Sequence, residues 1–219
     1  MIKTPTRELH VEYTRNEWMG RIPLFVFLLQ FLKEKNIKTI VDVGANVGEV
    51  SNVFMEQIPT LEKCYLFEPQ IDNFNFIKNR FKDNNKIIAY NFGIYYGKEE
   101  SHLYRQDINV GGYSIEPNIT EEKEVVQLRP LEFFNIPNID FIKIDIEGAE
   151  WNFLNNSKQI HDIKYILIEC HNLGFDKNEL KNKTEYQYYI EYLQKVLPNH
   201  TLKYQDMVDP CQFFLERND

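Results

Sequence analysis

Ile40-Val41-Asp42-Val43-Gly44-Ala45-Asn46-Val47-Gly48 is an apolar run that breaks into a glycine-rich turn, and a helical pattern follows over 47–57. Strand, tight turn and helix in that order present backbone N–H groups to a nucleotide-like ligand. The turn's details select the ligand. A dinucleotide fingerprint needs a glycine where Asn46 stands, so that the backbone can approach a pyrophosphate, and another where Glu49 stands. A pyrophosphate would therefore meet a side chain and a carboxylate. Asp42 at the strand end would repel phosphate and attract a cation. S-adenosylmethionine (SAM) carries an ammonium, a sulfonium and an adenosine but no phosphate, and it fits these residues.

The next strand supplies the second half of such a site. Cys64-Tyr65-Leu66-Phe67 reads as a strand with Glu68 at its end, 20 residues beyond Gly48. That is the separation of an acid that bonds a ribose 2′-hydroxyl in a βαβ unit. The competing reading makes Asp42 and Glu68 helix caps and the glycines a plain tight turn. The placement of Glu68 weighs against it.

The chain has 219 residues, 43% hydrophobic and 14% aromatic, enough for one domain with a substantial core. Its net charge of −8 and its lack of a basic block argue against a duplex nucleic-acid binder, a small basic pocket within the acidic chain being the alternative. Cys64, Cys170 and Cys211 form no C-x-x-C pair, so neither a disulfide framework nor a zinc signature is present. A reducing cytoplasm is the expected compartment. The apolar stretch Ile22 to Leu32 is too short to span a bilayer. It is expected to be a buried helix with Pro23 in its first turn, an interfacial membrane helix being the alternative.

Strand and helix signals alternate, which predicts an α/β fold. Strands are expected at 39–44, 63–68, 86–92, 139–145 and 164–169, with helices at 47–57, 70–82, 148–157 and 184–196. The pattern breaks over 93–138, where short β-like pieces at 101–105 and 123–128 surround a polar loop with Gly111-Gly112. Segments 200–204 and 211–215 are joined too tightly to be anything but antiparallel. The result is a seven-stranded, mainly parallel, Rossmann-like sheet with helices on both faces, as in class I methyltransferases. One domain is expected over 1–219, with 1–37 a helical extension and 38–219 the catalytic core.

Phe141-Ile142-Lys143-Ile144-Asp145-Ile146-Glu147-Gly148-Ala149-Glu150 alternates charge with isoleucine. An inner parallel strand is normally apolar on both faces. Charges at its carboxyl end therefore mark a site, because open α/β sheets bind ligands there. Lys143 is expected to pair a buried carboxylate. The fifth strand ends Glu169-Cys170-His171. Glu169 and His171 share a face and are candidate general bases. Asp145, Glu147 and Glu169 also have the chemistry of magnesium ligands, but they read equally well as bases or salt-bridge partners, and no metal is assigned.

Taken together, 41–48, Phe67-Glu68-Pro69, Asn91 with Gly93, and 141–150 resemble the FkbM family of SAM-dependent methyltransferases over roughly residues 38–172. That resemblance implies SAM at Asp42, Gly44, Ala45, Asn46, Gly48, Glu68 and Asn91. It implies a reaction centre near Asp145, Glu147 and Glu169, and O-methylation of hydroxyls on sugars or other small molecules. The expected enzyme is thus an O-methyltransferase with Asp145, Glu169 and His171 as catalytic candidates. Its expected partner is a small-molecule or carbohydrate acceptor, with no nucleic acid and no membrane span, and with a homodimer left open. The alternatives are an NAD-dependent oxidoreductase, disfavoured by Asn46 and Glu49, and a non-catalytic SAM-binding protein. The irregular segment 105–120, with Asp107, Asn109, Tyr113 and Ser114, is expected to be a lid over the acceptor, a surface hairpin being the plainer reading.

Overall fold

A computed structural model describes residues 7–8, 11–12, 15, 23–105, 113–114, 123–171, 184–205 and 211–219. Its strands are β1 (Thr39–Val43), β2 (Lys63–Phe67), β3 (Ile87–Tyr90), β4 (Gly93–Ile94), β5 (Glu100–Arg105) and β6 (Tyr113–Ser114). Then come β7 (Lys123–Arg129), β8 (Phe141–Ile144), β9 (Tyr165–Glu169), β10 (His200–Gln205) and β11 (Gln212–Arg217). The helices are α1 (Pro23–Lys33), α2 (Glu49–Gln57), α3 (Ile71–Arg80), α4 (Glu150–Asn156) and α5 (Glu185–Val196).

The main sheet has seven strands in the order β10-β11-β9-β8-β1-β2-β3. The five from β9 to β3 run parallel. β11 lies antiparallel on β9, and β10 antiparallel on β11. Element ends fall close to the expected ones. Strand periodicity divides the core. Ile40, Leu66, Phe141 and Leu167 pack with α1 and α2 on one face. Val41, Val43, Ile142, Ile144, Ile166 and Ile168 pack with α4 and α5 on the other. Asp42 and Lys143 interrupt the first series and sit directly opposite each other in register. All five parallel strands deliver their carboxyl ends to one edge, so the residues after β1, β2, β8 and β9 meet there.

A second sheet, absent from the sequence reading as a unit, has the order β4-β7-β5-β6. It is fastened at two points. Tyr96 N donates to Asn152 Oδ1 (2.7 Å) while Asn152 Nδ2 returns a bond to Tyr96 O (3.0 Å). Glu124 on β7 accepts from Gln70 Nε2 (3.1 Å) and Ile71 N (3.0 Å) at the start of α3. Most of the expected lid over 105–120, namely 106–112 and 115–120, lies outside the described residues. Tyr104 and Arg105 pair antiparallel with Ser114 and Tyr113, which is the backbone of the hairpin reading.

Helix α1 is part of the core. Leu24, Phe25, Leu28, Leu29 and Leu32 are buried, whereas Val26 on the opposite side is 43% exposed. Spacing of three and four places the buried set on one face. Among the described residues no helix is long and apolar enough to cross a membrane. Leu28→Ala should cost about 2–5 kcal/mol of stability, the range for a truncated core leucine. Denaturant melts of the two proteins measure it, and an unchanged midpoint would return α1 to the interfacial reading.

Candidate active site

The glycine-rich turn is held in a conformation that few residues tolerate. Gly44, Asn46 and Gly48 all have positive φ, at 83°, 52° and 74°. Asparagine visits this region more readily than other non-glycine residues, so Asn46 suits the backbone of the turn. A Cβ on Gly44 would sit 1.8 Å from the Asp145 carbonyl oxygen. Backbone approaches backbone there, between the ends of β1 and β8. Gly44 N and Ala45 N both donate to Phe67 O at 3.0 Å, which ties the turn to β2.

Glu68 organises the other wall. Its Oε2 accepts from Asn46 N (2.8 Å) and its Oε1 from Gln70 N (2.9 Å). The side chain is buried. Burial pushes its carboxyl up to about 8 against the pull of those two N–H bonds. A carboxylate has about four acceptor positions, so room remains for ribose hydroxyls. Asn91 spends its Nδ2 on Glu68 O (3.0 Å) and Pro69 O (2.8 Å), fixing the backbone that carries Glu68.

Two sequence-derived roles change. Asp42 was read as facing the ligand; it is fully buried beneath the turn, accepting from Ser51 Oγ at 2.6 Å. Burial raises its carboxyl despite Lys143 and Ser51. Glu49 is the carboxylate that the sequence sets against a pyrophosphate. It is buried and paired with Arg80 and Arg15, so only Asn46 still argues against a dinucleotide at this turn.

Lys143 connects the turn to the second half of the site. Its Nζ lies 3.0 Å from Asp145 Oδ2, 3.5 Å from Asp42 Oδ1 and 3.4 Å from Gly44 O. The expected structural role for this lysine is the observed one. Burial opposes the charge on Asp145, but Lys143 and the charge on His171 outweigh it and hold the carboxyl below its usual range.

Beyond β8 the chain turns through Glu147 (φ 52°) and Gly148 (φ 106°). Glu150, fully buried, holds that turn. Its Oε1 accepts from Ile146 N (3.0 Å), its Oε2 accepts from Gly148 N (3.0 Å), and His171 Nδ1 stands 3.0 Å from Oε1. Sequence reasoning missed this residue, although it closes the Glu-Gly-Ala-Glu block. On the other side of the ring, His171 Nε2 is 3.2 Å from Glu169 Oε1 and 3.7 Å from Glu147 Oε2. Gln212 Nε2 steadies Glu169 at 2.9 Å. Burial works against a charged imidazole, but the bonds to Glu150 and Glu169 and the field of Asp145 prevail and raise His171 to about 12. Both ring nitrogens face carboxylates, which favours the protonated ring and disfavours His171 as a base. Burial with the neighbouring carboxylates pushes Glu147 up to about 7, against the pull of His171.

Asp145, Glu147 and His171 each offer an atom within 4.8 Å of the others. A divalent cation bridging them would first displace the proton on Nε2.

A family model, the methyltransferase FkbM domain, matches residues 42–203. The chain belongs to the FkbM methyltransferase family. No curated protein matches the chain. Among solved structures, the FkbM methyltransferase of Methylobacillus flagellatus KT aligns with TM-score 0.52 and 19% identity, over 84% of this chain and 44% of that one. The chain therefore spans less than half the length of that relative. A Staphylococcus aureus protein described as a caffeoyl-CoA O-methyltransferase aligns with TM-score 0.54 and 15% identity over 97% of both chains. A Clostridium thermocellum protein described as an rRNA methylase aligns at 0.53 and 10%, over 89% of this chain and 95% of that one. At these identities the likeness shows the methyltransferase fold alone.

The charge on His171 has a measurable sign. Its folded value of about 12 lies above the ordinary 6.5, so the native state keeps a proton that the unfolded chain loses. This stabilisation is complete below pH 6.5 and declines as pH rises towards 12. Nitrogen-detected NMR should show His171 still protonated at about pH 8.5. The stability gap between wild type and His171→Gln should narrow between about pH 6 and 9. A ring titrating near 6.5 would contradict the assignment.

Proposed function

We propose that this member of the family uses SAM to methylate a hydroxyl on a sugar or other uncharged small molecule. One observation carries the reading. The glycine-rich turn with Glu68, and the cluster of Asp145, Glu147, Glu169 and His171, lie at the same sheet edge and are joined through Lys143. The residues fit SAM: the glycine-rich turn is tied to Glu68 through Asn46 N, and Glu68 has acceptor capacity left for ribose hydroxyls. Ala45, Asn46, Gly48 and Asn91 shape the same wall, while Asp42 serves it from below as a partner of Lys143. Bound there, SAM supplies an activated methyl group.

What remains for the chain is to hold the acceptor oxygen in line and take its proton. His171 is already protonated and acts by orienting Glu169 and Glu147. The proton therefore goes to a carboxylate, with Asp145 and Glu169 the nearest to the strand ends. A carboxylate-rich cluster in a chain of net charge −8 repels phosphate-bearing acceptors. That favours a neutral polyol over a nucleic acid.

Calorimetry should show SAM binding to the wild type, weakened by about 1–3 kcal/mol in Glu68→Ala, as for a lost charge-assisted bond. With an acceptor found by transfer of labelled methyl to a panel of sugars and glycosides, Asp145→Asn and Glu169→Gln should lower turnover by about 10²-fold or more. SAM affinity should change little. Absence of SAM binding, or label found only on nitrogen or on RNA, would refute the proposal.

A further inference from the structure

Glu49 begins α2 directly after the glycine-rich turn and is buried. Its pairing is divided between two arginines from opposite directions. Arg80, at the end of α3, pairs with Oε2 and also donates to Val47 O at 3.2 Å, within the turn itself. Arg15, 34 residues upstream of Glu49, donates to Oε1 at 3.0 Å. The same guanidinium reaches Glu56 Oε2 at 2.7 Å, further along α2. A buried carboxylate is costly unless its charge and lone pairs are met. Arg80 alone engages one oxygen, and the N-terminal segment supplies the partner for the other.

A second contact from the same segment lies at the opposite flank of the turn. Arg7 Nε donates to Asn73 Oδ1 (3.2 Å), and its Nη2 lies 3.1 Å from Asp72 Oδ2. Asn73 Nδ2 donates to Asn46 Oδ1 at 3.3 Å, and Asn46 N is the donor to Glu68. Arg7 is thus two hydrogen bonds from the centre of the turn. The two arginines grip the helices on either side of it. Both lie upstream of the family match, which begins at residue 42.

We propose that Arg15 and Arg7 are positioning residues for cofactor binding, holding the Gly44–Gly48 turn in its ligand-ready shape from outside the family core. The inference rests on SAM occupying that turn. Neither arginine touches the cofactor. Each acts through a residue that does or that starts the adjoining helix, so release of the segment loosens the turn and shortens cofactor residence. Because the grip is ionic and partly exposed, it weakens with salt.

The test uses the full chain and S-adenosylhomocysteine (SAH), the demethylated product, as probe. Dissociation constant and release rate are measured for wild type, Arg15→Ala, Arg15→Lys and Arg7→Ala, with thermal unfolding of each ligand-free protein alongside. Arg15→Ala should weaken SAH roughly fivefold, the scale of a partly exposed ion pair. Arg15→Lys should recover part of the loss. High salt should bring the wild type down to the variant's affinity while barely moving the variant. Arg7→Ala, which removes an exposed pair and leaves the fold intact, should speed release in the same direction. Wild-type SAH affinity in Arg7→Ala and Arg15→Ala, even with lowered melting temperature, would overturn the inference and leave the cofactor reading standing. No SAH binding to the wild type would overturn both.

Discussion

One buried ammonium holds the two halves of this site together. Lys143 lies on β8 directly opposite Asp42 on β1, and its charge is shared by Asp42, Asp145 and the Gly44 carbonyl. Two carboxylates and one ammonium cannot all be neutralised pairwise. The closer partner, Asp145, is held low and the more distant, Asp42, is raised. Removing one member of a buried pair costs about 3–5 kcal/mol, because the remaining charge is stranded. At this position the cost would fall on the junction between the glycine-rich turn and the carboxylate cluster at the ends of β8 and β9.

The same logic is repeated at the end of β9. Four carboxylates, Asp145, Glu147, Glu150 and Glu169, surround one imidazole. Glu150 is wholly buried and bonds the backbone of the 146–148 turn as well as the ring. That turn carries Glu147 in a left-handed conformation, a cost tolerated where the surroundings over-determine it. The ring in turn faces Glu169 and Glu147 with its other nitrogen. Charge fixes geometry here: the imidazolium sets where the carboxylates stand, and they keep it protonated.

The sheet was legible because its strands follow local rules. Largely apolar runs at 40–43, 64–67, 141–144 and 165–168, broken only by Asp42 and Lys143, end in residues that strands do not favour, and a short link forces the last two strands antiparallel. Glu68 was legible from spacing alone, and Lys143 from the cost of a charge inside a parallel strand. What escaped needed partners distant in sequence. Glu49 looks like a solvated carboxylate until Arg15 and Arg80 arrive. Asp42 looks like a ligand contact until Ser51 and Lys143 close over it. His171 looks like a base until Glu150 and Glu169 take both its nitrogens. The second sheet escaped for a related reason, since β4 and β6 are two residues each and gain strand character only by pairing with β7 and β5.

The assignment that Glu68 receives the ribose of SAM's adenosine can be isolated with one substitution in the ligand. Calorimetric titration of the wild type with SAH and with its 2′-deoxy analogue compares the same molecule with and without the hydroxyl in question. At a pH above about 8, where Glu68 is ionised, a charge-assisted bond to that hydroxyl should make SAH bind about tenfold or more tightly than the deoxy compound. The difference should vanish in Glu68→Ala and shrink in Glu68→Gln, which keeps an acceptor oxygen but no charge. Equal affinities of the wild type for the two compounds would contradict the placement of the cofactor.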